Sequence, residues 1–180
     1  MSATQTTNYQ KFQTKNPLVQ KLFTRFYNSI AGILQPLGAQ SVLDAGCGEG
    51  ETEERLQDIL PEKVDGFDIN PDCVEFTKER HPRWGFSVQD IFNLPYEDSS
   101  YDAVICLEVL EHLENPGDAL VELLRVSRSD VIVSVPHEPW FRLSTFCAGQ
   151  YIKNTTRNMF NSGPRQVSGA FFPERRRCSK

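Results

Sequence analysis

The sequence predicts an α/β chain, a doubly wound and mostly parallel sheet with helices on both faces. Three observations predict it. Short apolar runs alternate with longer stretches whose apolar residues recur at helical spacing, the pattern of parallel strands joined by crossover helices. The first run, SVLDA, leads straight into a glycine-rich turn, GCGEG. Two later helices open on Asn-Pro, at Asn70-Pro71 and Asn115-Pro116, with Asn as cap and Pro at the first helical position, where its missing N–H costs nothing. Right-handed crossovers then wrap the sheet on both faces.

In chain order, residues 1–16 are polar. From Pro17, the residues Val19, Leu22, Phe23, Phe26, Tyr27, Ile30, Ile33 and Leu34 fall on one helical face, and Pro36 with Gly38 closes that helix. Residues 41–45 are the first strand. Residues 51–60, with acids in the first turn, form a helix. Lys63–Asp68 is the second strand, a helix follows from Pro71, and Trp84–Val88 is the third strand. YEDSSYD is turn chemistry. Residues 103–107, a continuous apolar run, form a strand buried on both faces. A helix runs from Pro116 to about Arg128, and residues 131–135 are the fifth strand, stopped by Pro136. FRLSTFCAGQYIKN, residues 141–154, reads as one more helix, and the chain beyond Thr155 has no clear period. The chain thus divides into an N-terminal segment and helix (1–37), a core (38–140) and a C-terminal segment with a basic tail (141–180).

Composition narrows the class. The 180 residues, 39% apolar and 24% charged, suit one soluble globular domain. No window reaches the ~18 consecutive apolar residues of a membrane span, and the polar N-terminus has no secretory apolar region. Cys47, Cys73, Cys106, Cys147 and Cys178 are scattered and odd in number. That argues against a disulfide framework or a zinc site and for a reducing, cytoplasmic setting. The net charge of −5 divides into +6 over residues 151–180 and −11 over the rest. An acidic core argues against nucleic acid as partner, and the basic tail alone supports a nucleic-acid acceptor as an alternative. Nothing in the sequence marks an oligomeric state.

In a doubly wound sheet, ligands bind beyond the carboxyl ends of the strands, and the distinctive residues fall there. Asp44 precedes Gly46, Gly48 and Gly50. A glycine turn lets a ligand approach the backbone, but the G-x-G-x-G spacing is not the dinucleotide G-x-G-x-x-G, since position 51 is Glu51. An acid two residues before the first glycine suits a ligand ammonium better than a pyrophosphate. Asp68, 24 residues after Asp44, stands where an acid accepts hydrogen bonds from ribose hydroxyls, and Ile69 can pack on a purine. Asp90-Ile91 pairs an acceptor for an exocyclic amine with an apolar contact. In CLEVLEHL, a helical turn puts Glu108 on one face with Glu111 and on one with His112. Two carboxylates and an imidazole can hold a divalent ion. The alternative reading sets Glu108 at the rim of a cofactor pocket and has Glu111 and His112 orient the next loop.

Taken together, VLDAGCGEG, GFDIN, VQDIFNLPYEDSSYDAVICLEVLEHL and VIVSVPHEP resemble the successive motifs of class I S-adenosylmethionine-dependent methyltransferases of the type 11/12 kind, over about residues 38–140. The resemblance implies a Rossmann-like sheet, S-adenosylmethionine as cofactor and methyl transfer to a small-molecule acceptor. Asp44, Ala45, Gly46, Cys47 and Gly48 would line its methionine part, and Asp68 would take the ribose with Ile69 beside it. Asp90 and Ile91 would take the adenine, with Leu107 and Glu108 near the sulfonium. The N-terminal helix often covers the cofactor in this family, so the segment and amphipathic helix over residues 1–37 would act as a lid, with Tyr9 to Lys15 over the cofactor. E-x-x-E-H is similar to the metal-binding segment of ubiquinone-biosynthesis O-methyltransferases and small-RNA 3′-end methyltransferases, which suggests an oxygen acceptor and, as an alternative, a metal on Glu108, Glu111 and His112. The RNA enzymes need a further histidine after the fifth strand, where only His137 stands, at a spacing that does not suit. The family's sheet ends in a sixth and an antiparallel seventh strand, for which the last 45 residues show no strand–helix–strand pattern. The chain therefore reads as shortened or divergent at its C-terminus, and the alternative function is a cofactor-binding or partner-binding module without a complete substrate domain. A nicotinamide-dependent reductase fits the glycine spacing poorly.

Overall fold

The computed structural model describes residues 14–135 and the backbone of residues 149–152. Helix α1 (Pro17–Leu34) starts where Asn16 accepts a side-chain hydrogen bond from the Leu18 amide, with Pro17 in the first turn. A single 3-10 turn (Gln35–Leu37) and a left-handed Gly38 then turn the chain into β1 (Ser41–Ala45). Next come α2 (Glu51–Leu56), β2 (Lys63–Asp68), α3 (Pro71–Arg80), β3 (Gly85–Val88), β4 (Tyr101–Leu107), α4 (Pro116–Val126) and β5 (Ser127–Ser134). Asn70 caps α3 as its Asn-Pro pair predicts, taking the Asp72 amide at 2.9 Å. Asn115 instead serves α4 through its backbone carbonyl, which accepts from Asp118 and Ala119.

The strands form one sheet in the order β3-β2-β1-β4-β5-β6, where β6 is Gly149–Ile152. Strands β1 to β5 run parallel, and β6 pairs antiparallel with β5, Val133 opposite Gln150. At residues 149–152 this corrects the reading of 141–154 as a helix. It also adds a sixth strand where the sequence shows no strand pattern. GQYI is too short and too polar to announce itself; the unpaired edge of β5 supplies the reason for it to be extended. The rest of the C-terminal segment lies outside the described residues.

The continuous apolar strands are explained by a core on each face. Val42, Ala103, Ile105 and Ile132 point to the side where Phe23, Tyr27, Ile30 and Leu34 of α1 pack with Val74, Trp84 and Phe86. Their neighbours Leu43, Val104, Cys106, Val131 and Val133 point to the other, against Ala119, Leu123 and Val126 of α4. Successive strand residues alternate faces, so a strand covered on both sides must be apolar throughout. Several boundaries differ from the spacing: β3 begins at Gly85, β4 at Tyr101, α4 ends at Val126 and β5 ends at Ser134. Helix α2 stops at Leu56, four residues early, and β5 begins at Ser127, because Tyr101 pairs with Ser127 across an irregularity and extends the ladder backward. Among the described residues, no helix is long and apolar enough to cross a membrane.

Candidate functional site

The turn between β1 and α2 is held from two sides. The amides of Gly46 and Cys47 both donate to the Phe67 carbonyl of β2, and the Gly48 amide donates to Asp68 Oδ2 at 3.0 Å. The carbonyls are taken up by α3 and the residue that follows it. Thr77 Oγ1 donates to Gly48 O at 2.7 Å, Arg80 to Glu49 O, and His81 Nε2 meets Gly50 O at 3.0 Å. A Gly50 carbonyl can only accept, so His81 carries its proton on Nε2. Nothing in the spacing of Thr77, Arg80 and His81 announces this bracing, which depends on the way α3 packs.

Burial, with help from the nearby Arg80 and Arg83 cations, holds the His81 pKa below the usual histidine value. A base whose folded pKa is lowered binds more protons when unfolded. Stability is therefore lost as pH falls through about 6.5, the ordinary histidine value, toward the lowered folded value. We expect thermal melts to show a larger drop in midpoint between pH 7.5 and 5.5 for wild type than for His81→Gln, which keeps a donor and does not titrate; equal drops would remove His81 from this role.

At the end of β2, Asp68 Oδ1 also accepts the Asn70 amide at 2.8 Å, so one carboxylate fixes both the glycine turn and the start of α3. Ile69 beside it is 68% exposed, an apolar side chain at a cavity rim. After β3, Asp90 Oδ1 accepts the Phe92 amide at 3.0 Å and turns the chain, which buries Ile91 and leaves Phe92 exposed. After β4, Glu108 has φ +60°, a conformation unusual for a residue with a side chain and one that gathers at functional sites. It is fixed by Ser134 of β5, whose hydroxyl donates to Glu108 Oε1 at 2.6 Å and whose carbonyl takes the Glu108 amide.

These strand ends and α1 enclose a cavity of about 1070 Å³. Nine of the eleven residues expected to bind the cofactor line it: Gly46, Cys47, Gly48, Asp68, Ile69, Asp90, Ile91, Leu107 and Glu108. Asp44 and Ala45 do not. Both are buried within β1, and Thr52 stands at the wall in front, hydrogen-bonded to Asp44. The resemblance implies the N-terminal helix as a lid without naming Phe23, Phe26 and Tyr27, which line the cavity, and the sequence misses Thr52, Gln89, Phe92 and Val109. The aromatic spacing of α1 marks a packed face without saying that part of it faces a cavity. Arg55 locks α1 in place: it pairs with Glu51 at 2.6 Å and stacks over the rings of Phe23 and Tyr27 at 5.3 and 5.7 Å. Thr14 also lines the cavity, while the expected lid residues 9–13 lie outside the described residues, as does His137.

The helical turn expected to gather Glu108, Glu111 and His112 is not there. Glu108 precedes a single 3-10 turn, Leu110–His112, in the left-handed conformation. His112 is 76% exposed, 3.9 Å from Glu111. Among the described residues, no three His, Cys, Asp or Glu side chains converge on a metal position. Burial, then the neighbouring Glu108, raises the Glu111 pKa.

The wall fits an amino-acid-bearing nucleoside on two counts. A Cβ on Gly48 would meet nothing within 4 Å, so the turn leaves open room at its backbone. Asp44 Oδ2 is buried without a donor, next to that turn. Comparison with known proteins agrees. A family model described as a methyltransferase domain matches residues 43–135, and the chain belongs to that family. A probable S-adenosylmethionine-dependent methyltransferase of Mycolicibacterium smegmatis is 33% identical over 75% of this chain and 49% of its own length. The 27-O-demethylrifamycin SV methyltransferase of Amycolatopsis mediterranei is 31% identical over 61% of this chain and 43% of its own. The chain thus spans about half the length of the curated relatives it matches. The fold is that of the magnesium protoporphyrin IX methyltransferase of Synechocystis PCC 6803 solved with S-adenosylhomocysteine (SAH), with a TM-score of 0.60 and 23% identity over 74% of this chain and 68% of that one.

Proposed function

We propose that this chain binds S-adenosylmethionine and transfers its methyl group to a small-molecule acceptor at oxygen. The observation that carries the reading is the single cavity wall on which the glycine turn, Asp68, the Asp90 turn and the strained Glu108 meet the aromatic face of α1. The bound cofactor supplies a sulfonium methyl, which is intrinsically reactive, so the protein's task is orientation and exclusion of water. Asp68 offers its carboxylate to a ribose, and Ile69 and Ile91 offer apolar contacts on either side of a purine. Phe23, Phe26 and Tyr27 of α1 shield one side of the cavity, and Val109, which sits against the Gly46 turn, and Leu113 offer an apolar acceptor region. The small-molecule acceptor is supported by the relative that acts on 27-O-demethylrifamycin SV, and oxygen by that name together with the E-x-x-E-H resemblance. The test is transfer of label from methyl-tritiated S-adenosylmethionine to a panel of hydroxylated apolar compounds, with amines and RNA alongside. Label confined to ether or ester products is expected. Label confined to amines or to RNA would overturn the acceptor assignment.

A further inference from the structure

Behind the cavity lies a pair of carboxyls that the methyl-transfer reading does not use. Asp44 is 2% exposed at the end of β1, and Glu53 is 0% exposed on the inner face of α2. Asp44 Oδ2 and both Glu53 carboxyl oxygens are buried with no N–H or O–H donor from any other residue, and the two carboxyls bear on one another's ionisation. Two carboxylates cannot bond to each other; the donor has to be a proton that the pair itself carries. The surroundings favour keeping it. Facing the pair are Tyr27 from α1, Cys47 from the turn, Asp68 from β2, Cys106 from β4 and Thr52 from α2, with Glu51 acting on Tyr27. The cations that reach this cluster are Arg80, acting on Glu53, and Arg55, acting on Tyr27.

Resting on the reading of the cavity as the cofactor site, we propose that Glu53 is a positioning residue. It stays a neutral acid and donates its proton to Asp44, so that Asp44 can ionise behind Thr52 and hold the cofactor's ammonium. Burial is the main cause that raises both carboxyls, Asp44 up to about 7 and Glu53 well above the carboxylate range, and the Glu53 hydrogen bond is the largest influence drawing Asp44 back down. Without that donor, Asp44 would resist ionisation further. A bound cation favours the ionised form, so below about pH 7 binding releases one proton from Asp44 to solvent.

Two measurements decide it. In the ligand-free wild type, carbon-detected NMR of the side-chain carboxyls should show Asp44 titrating near neutrality and Glu53 still protonated through that transition. A Glu53 that titrates in the ordinary carboxylate range overturns the proposal, whatever any variant does. SAH affinity is then measured from pH 6 to 8.5 for wild type, Glu53→Gln and Glu53→Leu, each taken as a ratio to wild type so that the ligand's own ammonium cancels. Glu53→Gln keeps a neutral donor and should follow wild type within about twofold. Glu53→Leu should bind about fivefold more weakly at pH 7, as when the pKa of a half-ionised Asp44 rises from about 7 to about 8, and recover most of that by pH 8.5. A Glu53→Leu profile parallel to wild type, or a Glu53→Gln profile displaced as far as that of Glu53→Leu, overturns the proposal. If wild type binds no SAH, the cofactor reading itself fails, and the NMR titration still reports on the pair.

Discussion

Replacing Asp68 with alanine weakens SAH binding by about 100-fold and lowers the stability of the free protein by about 3 kcal/mol. The effect is double because the carboxylate has two tasks. In the free protein it ties the Gly48 amide at 3.0 Å and the Asn70 amide at 2.8 Å, so its loss unties the glycine turn from the start of α3. Hydrogen bonds to a charged group contribute about 1.5–3 kcal/mol each, and partial exposure puts these two in the lower part of that range. In the proposed complex the same carboxylate meets the ribose, and two lost hydrogen bonds of that strength correspond to about two decades in affinity. Asp68→Asn keeps one acceptor oxygen and falls between alanine and wild type. Calorimetric titration gives the affinity and chemical denaturation the stability. Loss of stability with unchanged affinity would show that Asp68 shapes the turn and touches no ligand.

Gly46→Ala destabilises the protein by about 3–5 kcal/mol, the largest effect expected of a single methyl group here. A Cβ at this position lies 2.4 Å from Val109 Cγ2, inside any van der Waals contact, and Val109 is β-branched with little rotamer freedom to yield. The backbone adds its own cost, since φ is +79° and a left-handed conformation disfavours a side chain by about 1–2 kcal/mol. The two contributions separate in a double mutant. Val109→Ala removes the overlap and leaves the backbone strain, so Gly46→Ala is milder in the Val109→Ala background than in wild type by about 1–3 kcal/mol. Gly48→Ala is the counterpart. Its Cβ meets nothing in the free protein, so stability falls only by the strain of its φ of +50°, while affinity for SAH falls more, because the methyl group occupies ligand space. Strict additivity of Gly46→Ala and Val109→Ala would show that the turn moves away from the β4 loop without resistance.

The sheet was legible in the sequence wherever burial on both faces forces a run of apolar residues, as in SVLDA and AVICL, and wherever a cap marks a start, as at Asn70-Pro71. Strand β6 was not, since GQYI carries no period, and its extended state is set by the edge of β5. The strand-end residues were legible as a set because each has a reason to stand beside a nucleoside. What the sequence could not convey is depth. Asp44 and Glu53 carry the same chemistry as Asp68 and Asp90, yet the first two are buried behind the wall and the last two stand on it. Likewise, E-x-x-E-H spacing implies a shared face only if the backbone is helical, and the left-handed Glu108 breaks that premise. Among the described residues, the loop-bracing trio Thr77, Arg80 and His81 is visible only once α3 is packed.

The most direct test of the central claim, that this cavity is a site for S-adenosylmethionine, is calorimetric titration of the protein with SAH, with NAD run in parallel. The account predicts micromolar, one-to-one binding of SAH and no binding of NAD, whose pyrophosphate the G-x-G-x-G turn with Glu49 and Glu51 does not suit. A folded protein that binds NAD in place of SAH, or binds neither, would contradict it.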